Sequence, residues 1–239
     1  MNILGFSGIT TGKHYETKYG IRFVGHDSAV ALIQDGRLLF AVEEERLSRQ
    51  KHTSALPVKG LRWGLERHGL TIADIDAVAY CWNATPLRQL HMYLHHPLRI
   101  PVWHWPALGW TGQRVLRDLM SPRRATRAFA RALGHPLPPV HGVPHHLSHA
   151  SCAYFTSPFD ESAVLTVDGQ GEDESATIGE WRGTTYTAFQ RVYSPDSIGI
   201  LYGMITDFLG MAQAGTSTRS WEWPRSAIRL ASLRPLTSW

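Results

Sequence analysis

His145 and His149, in the run His145-His146-Leu147-Ser148-His149, stand four residues apart. On a helix they project from one face, and two imidazoles at that spacing can hold one metal ion. No Glu follows the first histidine, which removes the metalloprotease pattern. In a chain with 13 histidines the pair is also compatible with an ordinary capped helix end. A second group is Asp168-Gly169-Gln170-Gly171, which closes an apolar run. An acid at a strand's carboxyl end can give a metal a hard oxygen ligand, and Gly169 and Gly171 let backbone N–H groups approach phosphate closely. The bland alternative is a β-turn, for which Asp-Gly is a common dipeptide. Third, Gly25-His26-Asp27-Ser28 sets a histidine beside an acid. His26 there can act as a general base, or simply sit exposed in a turn.

The elements that must position these residues follow from hydropathy. Residues 2–6 are apolar, and 28–33 and 37–42 form two apolar runs joined at Asp35-Gly36, a hairpin signal. The acidic cluster Glu43-Glu44-Glu45 leads through a basic segment to Pro57, after which Val58, Leu61 and Leu65 have helical spacing up to Gly69. Residues 76–82 read as a strand, 112–120 and 123–133 as helices, and Val140 as the end of a short strand. His145–Phe155 reads as a helix, Ala163–Val167 as a strand closing on Asp168, and 175–181 and 185–192 as alternating strands. A helix over 198–209 follows the cap sequence Ser194-Pro195-Asp196-Ser197. The order predicts a mixed α/β chain with two successive sheet units.

Composition narrows the class. The 239 residues, 43% apolar and 18% charged, suffice for a buried core. Two cysteines, Cys81 and Cys152, make no disulfide framework and favour a reducing compartment. No run is long and apolar enough to span a bilayer, and residues 1–7 lack a secretory leader, so the expectation is a cytoplasmic protein with no membrane partner. The net charge of +4 is uneven: residues 212–239 carry +3 and everything before them +1. That tail lacks a basic-aromatic pattern on a recognisable fold, so no nucleic-acid partner is expected, and it reads as a disordered segment.

In joint order, Gly25-His26-Asp27-Ser28-Ala29, the Glu43-Glu44-Glu45-Arg46 cluster with Lys51-His52 and Pro57, His145-His146-Leu147-Ser148-His149-Ala150, Ser157-Pro158-Phe159-Asp160, Ala163 to Gly169, and Ser197-Ile198-Gly199 with Tyr202 resemble the amino-terminal part of NodU/CmcH-type carbamoyltransferases. The resemblance runs from residue 1 to about 211, with 83–138 contributing little. It implies an actin-like ATPase, Kae1-like fold, here incomplete: a first subdomain over 1–160 with a variable segment at 83–138, and the start of a second over 161–211. It further implies an enzyme that makes carbamoyl-adenylate from carbamoyl phosphate and ATP and transfers the carbamoyl group to a hydroxyl of a small-molecule acceptor, a sugar or natural product. His145, His149 and Asp168 match ligands of an iron-like divalent metal, Asp168, Gly169 and Gly171 match cofactor-binding positions, and His26 matches the histidine of carbamoyl transfer. His146 and His52 are read as structural or supporting.

The tail departs from the family pattern, which continues with a run like Gly-Asp-Glu-Tyr-Lys-Val-Met-Gly-Leu-Ala-Pro-Tyr-Gly-Asp-Pro. Codons for the fifteen residues Gly215–Arg229, read one nucleotide earlier, can encode that run. The expectation is therefore a frameshift between about 211 and 215, leaving a truncated fragment that is inactive alone and exposes apolar faces. The alternatives are a short variant with its own tail, or a non-catalytic metal- or nucleotide-binding module working with a separately encoded carboxyl-terminal half. The DNA around codons 205–239 decides between them.

Overall fold

The computed structural model of the chain describes residues 1–8, 27–51, 53–85 and 121–209, together with 87, 88, 90, 91 and 94. The first element is strand β1 (Asn2–Phe6). It pairs antiparallel with β2 (Ala29–Gln34), which pairs antiparallel with β3 (Arg37–Glu43). Asp35 and Gly36 between them both have positive φ, 51° and 78°, the geometry that turns a two-residue hairpin and that Asp-Gly adopts readily. On the other side β1 pairs in parallel with β4 (Ala77–Tyr80), and β4 with β5 (Val140–Gly142), giving the five-strand order β3-β2-β1-β4-β5. Val140 opens β5 rather than ending it.

Strand alternation sends Leu4, Phe6, Val30, Leu32, Phe40, Val78 and Tyr80 to one face of this sheet. There they meet Leu61 and Leu65 of helix α2 (Val58–Arg67) and Ala125, Phe129 and Leu133 of α3 (Pro122–Leu133). A short helix α1 (Glu44–Ser48) precedes α2, where the sequence showed only a cluster of charge. Its Glu44 is buried because its carboxylate accepts the N–H groups of Lys59 and Gly60, satisfying the exposed donors at the start of α2. Part of the opposite face of the sheet is lined by small residues, among them Gly5, Ala31 and Ala79. An open cavity of about 710 Å³ lies over them, bounded on its far side by Ser148 and Cys152.

Helix α4 (His145–Phe155) links this sheet to a second one of three antiparallel strands, β6 (Glu161–Val167), β7 (Glu174–Arg182) and β8 (Thr185–Tyr193). Ala150 and Tyr154 on one side of α4 pack against Val164 and Trp181. Helix α5 (Ile198–Phe208) follows, its first turn capped by Ser197 Oγ, which accepts the Ile200 N–H at 3.0 Å. Apolar side chains stand exposed on α5 (Ile198, Met204, Phe208) and on the second sheet (Leu165, Phe189). The architecture is mixed α/β with a partly parallel sheet. No helix among the described residues is long and apolar enough to cross a membrane. The predicted helix at 112–120 and the tail at 212–239 lie outside the described residues.

Candidate metal centre

The histidine pair and the acid converge. His145 and His149 sit one turn apart on the first half of α4, and Asp168 is the residue after β6. His145 Nε2 lies 2.8 Å from Asp168 Oδ2, His149 Nε2 lies 3.1 Å from His145 Nε2, and His149 Nε2 lies 3.4 Å from Asp168 Oδ2. Ligands roughly 2.1 Å from one ion are about 3.0 Å apart at right angles and about 3.4 Å apart in a tetrahedron. Two imidazole nitrogens and one carboxylate oxygen at such separations fit a first-row divalent metal, with iron, zinc and manganese all compatible with the donor types.

Two of the three donors, His145 and Asp168, are aimed from behind. The Nδ1–H of His145 donates to the Cys81 carbonyl at 3.1 Å, which turns Nε2 toward the site. Trp82 stacks on the same ring, centroids 3.9 Å apart and planes 19° apart. Asp168 Oδ1 accepts the Gly169 N–H at 2.6 Å, so Oδ2 is the oxygen presented to the histidines. Burial alone would raise the Asp168 pKa. The hydrogen bonds from His145 and His149, with the His145 charge and the Gly169 N–H, outweigh burial and hold the carboxyl well below the usual carboxylate range.

The Asp168-Gly169 backbone is held in turn by the start of α5. Ser197 Oγ shares its proton between the Asp168 and Gly169 carbonyls, at 3.1 and 2.7 Å. Gly199 packs so closely that a Cβ there would stand 2.5 Å from the Asp168 carbonyl. Gly171 is equally confined, because a Cβ would meet His146 at 2.8 Å, and its N–H donates to the Glu174 carbonyl. Gly169 has open space around its Cα. Of the two glycines singled out in the sequence, Gly169 thus leaves room for a ligand near its backbone, whereas Gly171 serves packing.

His146 faces away from the donors. It is 1% exposed, its Nε2–H donates to the Glu174 carbonyl, and its Nδ1 accepts from Thr166 Oγ1 at 2.8 Å. Thr166 continues to Thr177 and Tyr186, so the ring is neutral and fully bonded. Burial lowers its pKa. His26 and His52 lie outside the described residues. Sequence reasoning missed Glu172, a buried carboxylate that accepts the backbone N–H groups of both His145 and Asn83. The only local signal for it is an acidic run, Glu172-Asp173-Glu174, directly after the glycine loop.

A family model for the carbamoyltransferase N-terminus matches residues 17–220. The chain belongs to this carbamoyltransferase family. The match contains His26, His145, His149, Asp168 and Glu172, and it extends past residue 211, where the motif resemblance stops. Among curated relatives, nodulation protein NolNO of Sinorhizobium fredii is 33% identical over 216 residues, covering 88% of this chain and 29% of its own. An uncharacterized protein of Synechocystis sp. is 32% identical over 195 residues, covering 80% of this chain and 31% of its own. The chain thus spans less than a third of the length of these relatives. Among solved structures, YeaZ from Pseudomonas aeruginosa matches at 16% identity and a TM-score of 0.34, over 82% of this chain and 73% of that one.

Proposed function

We propose that this chain is the amino-terminal part of an O-carbamoyltransferase with a Kae1-like fold, and that His145, His149 and Asp168 hold its divalent metal. The observation that carries the reading is the convergence of those three donor atoms in a member of the carbamoyltransferase family. The metal, when bound, neutralises phosphate oxygens of the nucleotide and of the carbamoyl donor.

The chain's own groups do the rest. His145 and His149 present Nε2 as the ligating atom, and the Cys81 carbonyl, by accepting the Nδ1–H of His145, directs that ring's Nε2 to the site. Asp168 remains ionised across the physiological range, and the open space at Gly169 admits a phosphate against the loop backbone. In the transfer step the acceptor oxygen bonds to the carbamoyl carbon of carbamoyl-adenylate, the bond from that carbon to the adenylate oxygen breaks, and AMP leaves. The acceptor's hydroxyl proton passes to a base, the role the resemblance gives His26.

The test begins with the metal. The purified chain is titrated with Fe(II) under argon, and separately with Zn(II) and Mn(II). One equivalent binds, and His149→Ala, a change at an exposed position, removes tight binding. Absent stoichiometric binding, or binding indifferent to His149→Ala, refutes the centre. A hybrid joining this chain to the remaining residues of a NolNO-type protein then turns over carbamoyl phosphate and ATP. A hybrid that folds and binds metal yet consumes neither refutes the transferase.

A further inference from the structure

The Glu172 side chain is 1% exposed and lies between two segments far apart in sequence. Its two oxygens accept the His145 N–H at 3.1 and 3.0 Å, and Oε1 also accepts the Asn83 N–H at 2.6 Å. Arg88 Nη1 stands 3.5 Å from Oε2 and is shared with Asp173, whose Oδ1 it meets at 3.2 Å. Asn83 closes the tripeptide Cys81-Trp82-Asn83, whose first two members touch the His145 ring, one through its carbonyl and one by stacking. One carboxylate therefore ties the backbone of His145 to the segment that orients its imidazole. It comes from the same loop that carries Asp168, four residues earlier. A side-chain amide of the same length keeps one oxygen within reach of both N–H groups, as Oε1 is, but sets an NH₂ donor against the His145 N–H where Oε2 now accepts at 3.0 Å, and it removes the charge.

We propose that Glu172 is a positioning residue for the metal centre: it fixes the tautomer and direction of His145 by holding Cys81 and Trp82 against the ring while seating that ring's own backbone. The proposal rests on the reading of His145, His149 and Asp168 as metal ligands. Supports of this kind behind a ligating histidine are worth about tenfold to a hundredfold in metal affinity.

Two readouts on the full chain separate this role from plain stability. The first is Co(II) affinity from its visible absorption in Glu172→Gln, Glu172→Asp and a surface control, Glu180→Gln. The second uses the metal-free proteins: the ¹⁵N and exchange signature of the His145 Nδ1–H. In Glu172→Gln the Co(II) dissociation constant rises at least tenfold and the Nδ1–H exchanges faster, while the unfolding transition stays cooperative. Glu172→Asp, which keeps the charge but is one methylene short, falls between Glu172→Gln and the parent. Glu180→Gln matches the parent. A folded Glu172→Gln with affinity within twofold of the parent and an unchanged His145 signature overturns the proposal. So does a Glu172→Gln chain that has lost cooperative unfolding, which makes Glu172 a folding residue. If the parent itself binds no Co(II), the metal reading fails, and the metal-free signature still decides whether Glu172 orients His145.

Discussion

Replacing Gly199 by Ala tests whether the start of α5 holds the loop that presents Asp168. A Cβ at this position would stand 2.5 Å from the carbonyl carbon and oxygen of Asp168 and from the Gly169 nitrogen. Ordinary contacts begin near 3.4 Å, so a gap of about 1 Å must open between α5 and the loop. All three crowded atoms are backbone, and no rotamer change relieves them. Overpacking of this kind costs about 1–3 kcal/mol. The same movement pulls Ser197 Oγ beyond reach of the Gly169 carbonyl, now at 2.7 Å, and turns Oδ2 of Asp168 away from the histidines. Gly203 supplies the comparison, because it lies on the same helix and a Cβ there would meet nothing within 4 Å. Gly→Ala in a helix gains up to about 1 kcal/mol from propensity alone, a gain that cancels between the two variants. Chemical unfolding should therefore place Gly199→Ala about 1–3 kcal/mol below Gly203→Ala. Metal titration should show weaker binding in Gly199→Ala only. Equal stability and equal affinity in the two variants would refute the clamp.

Two further outcomes follow from buried titratable groups. Burial lowers the His146 pKa, so below the ordinary histidine value of about 6.5 the unfolded chain takes up a proton that the folded chain resists. Stability is full above that pH and falls as pH drops from it toward the folded-state pKa. In chelator-treated protein, urea midpoints between pH 5 and 7 should show this slope in the parent and lose it in His146→Gln; an identical slope in both assigns it elsewhere. Burial pushes the Cys81 thiol up to about 12, whereas Cys152 is exposed. A thiol reagent at pH 8 should modify Cys152 rapidly and Cys81, half-buried with its thiol held protonated, much more slowly, and two equally fast thiols in the native protein would contradict this placement.

Periodicity and turn chemistry made the first hairpin, α2, α4 and β6 legible, because each depends on local pattern: Asp35-Gly36 for the turn, Val58-Leu61-Leu65 for the helix face, and the strand ending at Asp168. The histidine spacing gave two donors, and the strand end gave the third. Glu172 was not legible, because its meaning lies in partners 27 and 89 residues away. Nor was the role of Cys81, which acts through a backbone carbonyl that every residue type possesses. Helix α1 was hidden because its stabilisation comes from Glu44 reaching across to α2, a tertiary contact with no local signature.

His146 separates the two roles that adjacent histidines play on α4. Successive helical residues point about 100° apart. With both ring nitrogens of His146 engaged, the helix cannot roll about its axis without breaking those bonds. One of its partners, Thr166, lies on β6 two residues before Asp168, so the bolt that stops the roll joins the carrier of two donors to the carrier of the third. The span between His145 on α4 and Asp168 after β6 is consequently set by the scaffold. An ion held there would be selected by how well it matches that span, not by how strongly it can draw ligands toward itself.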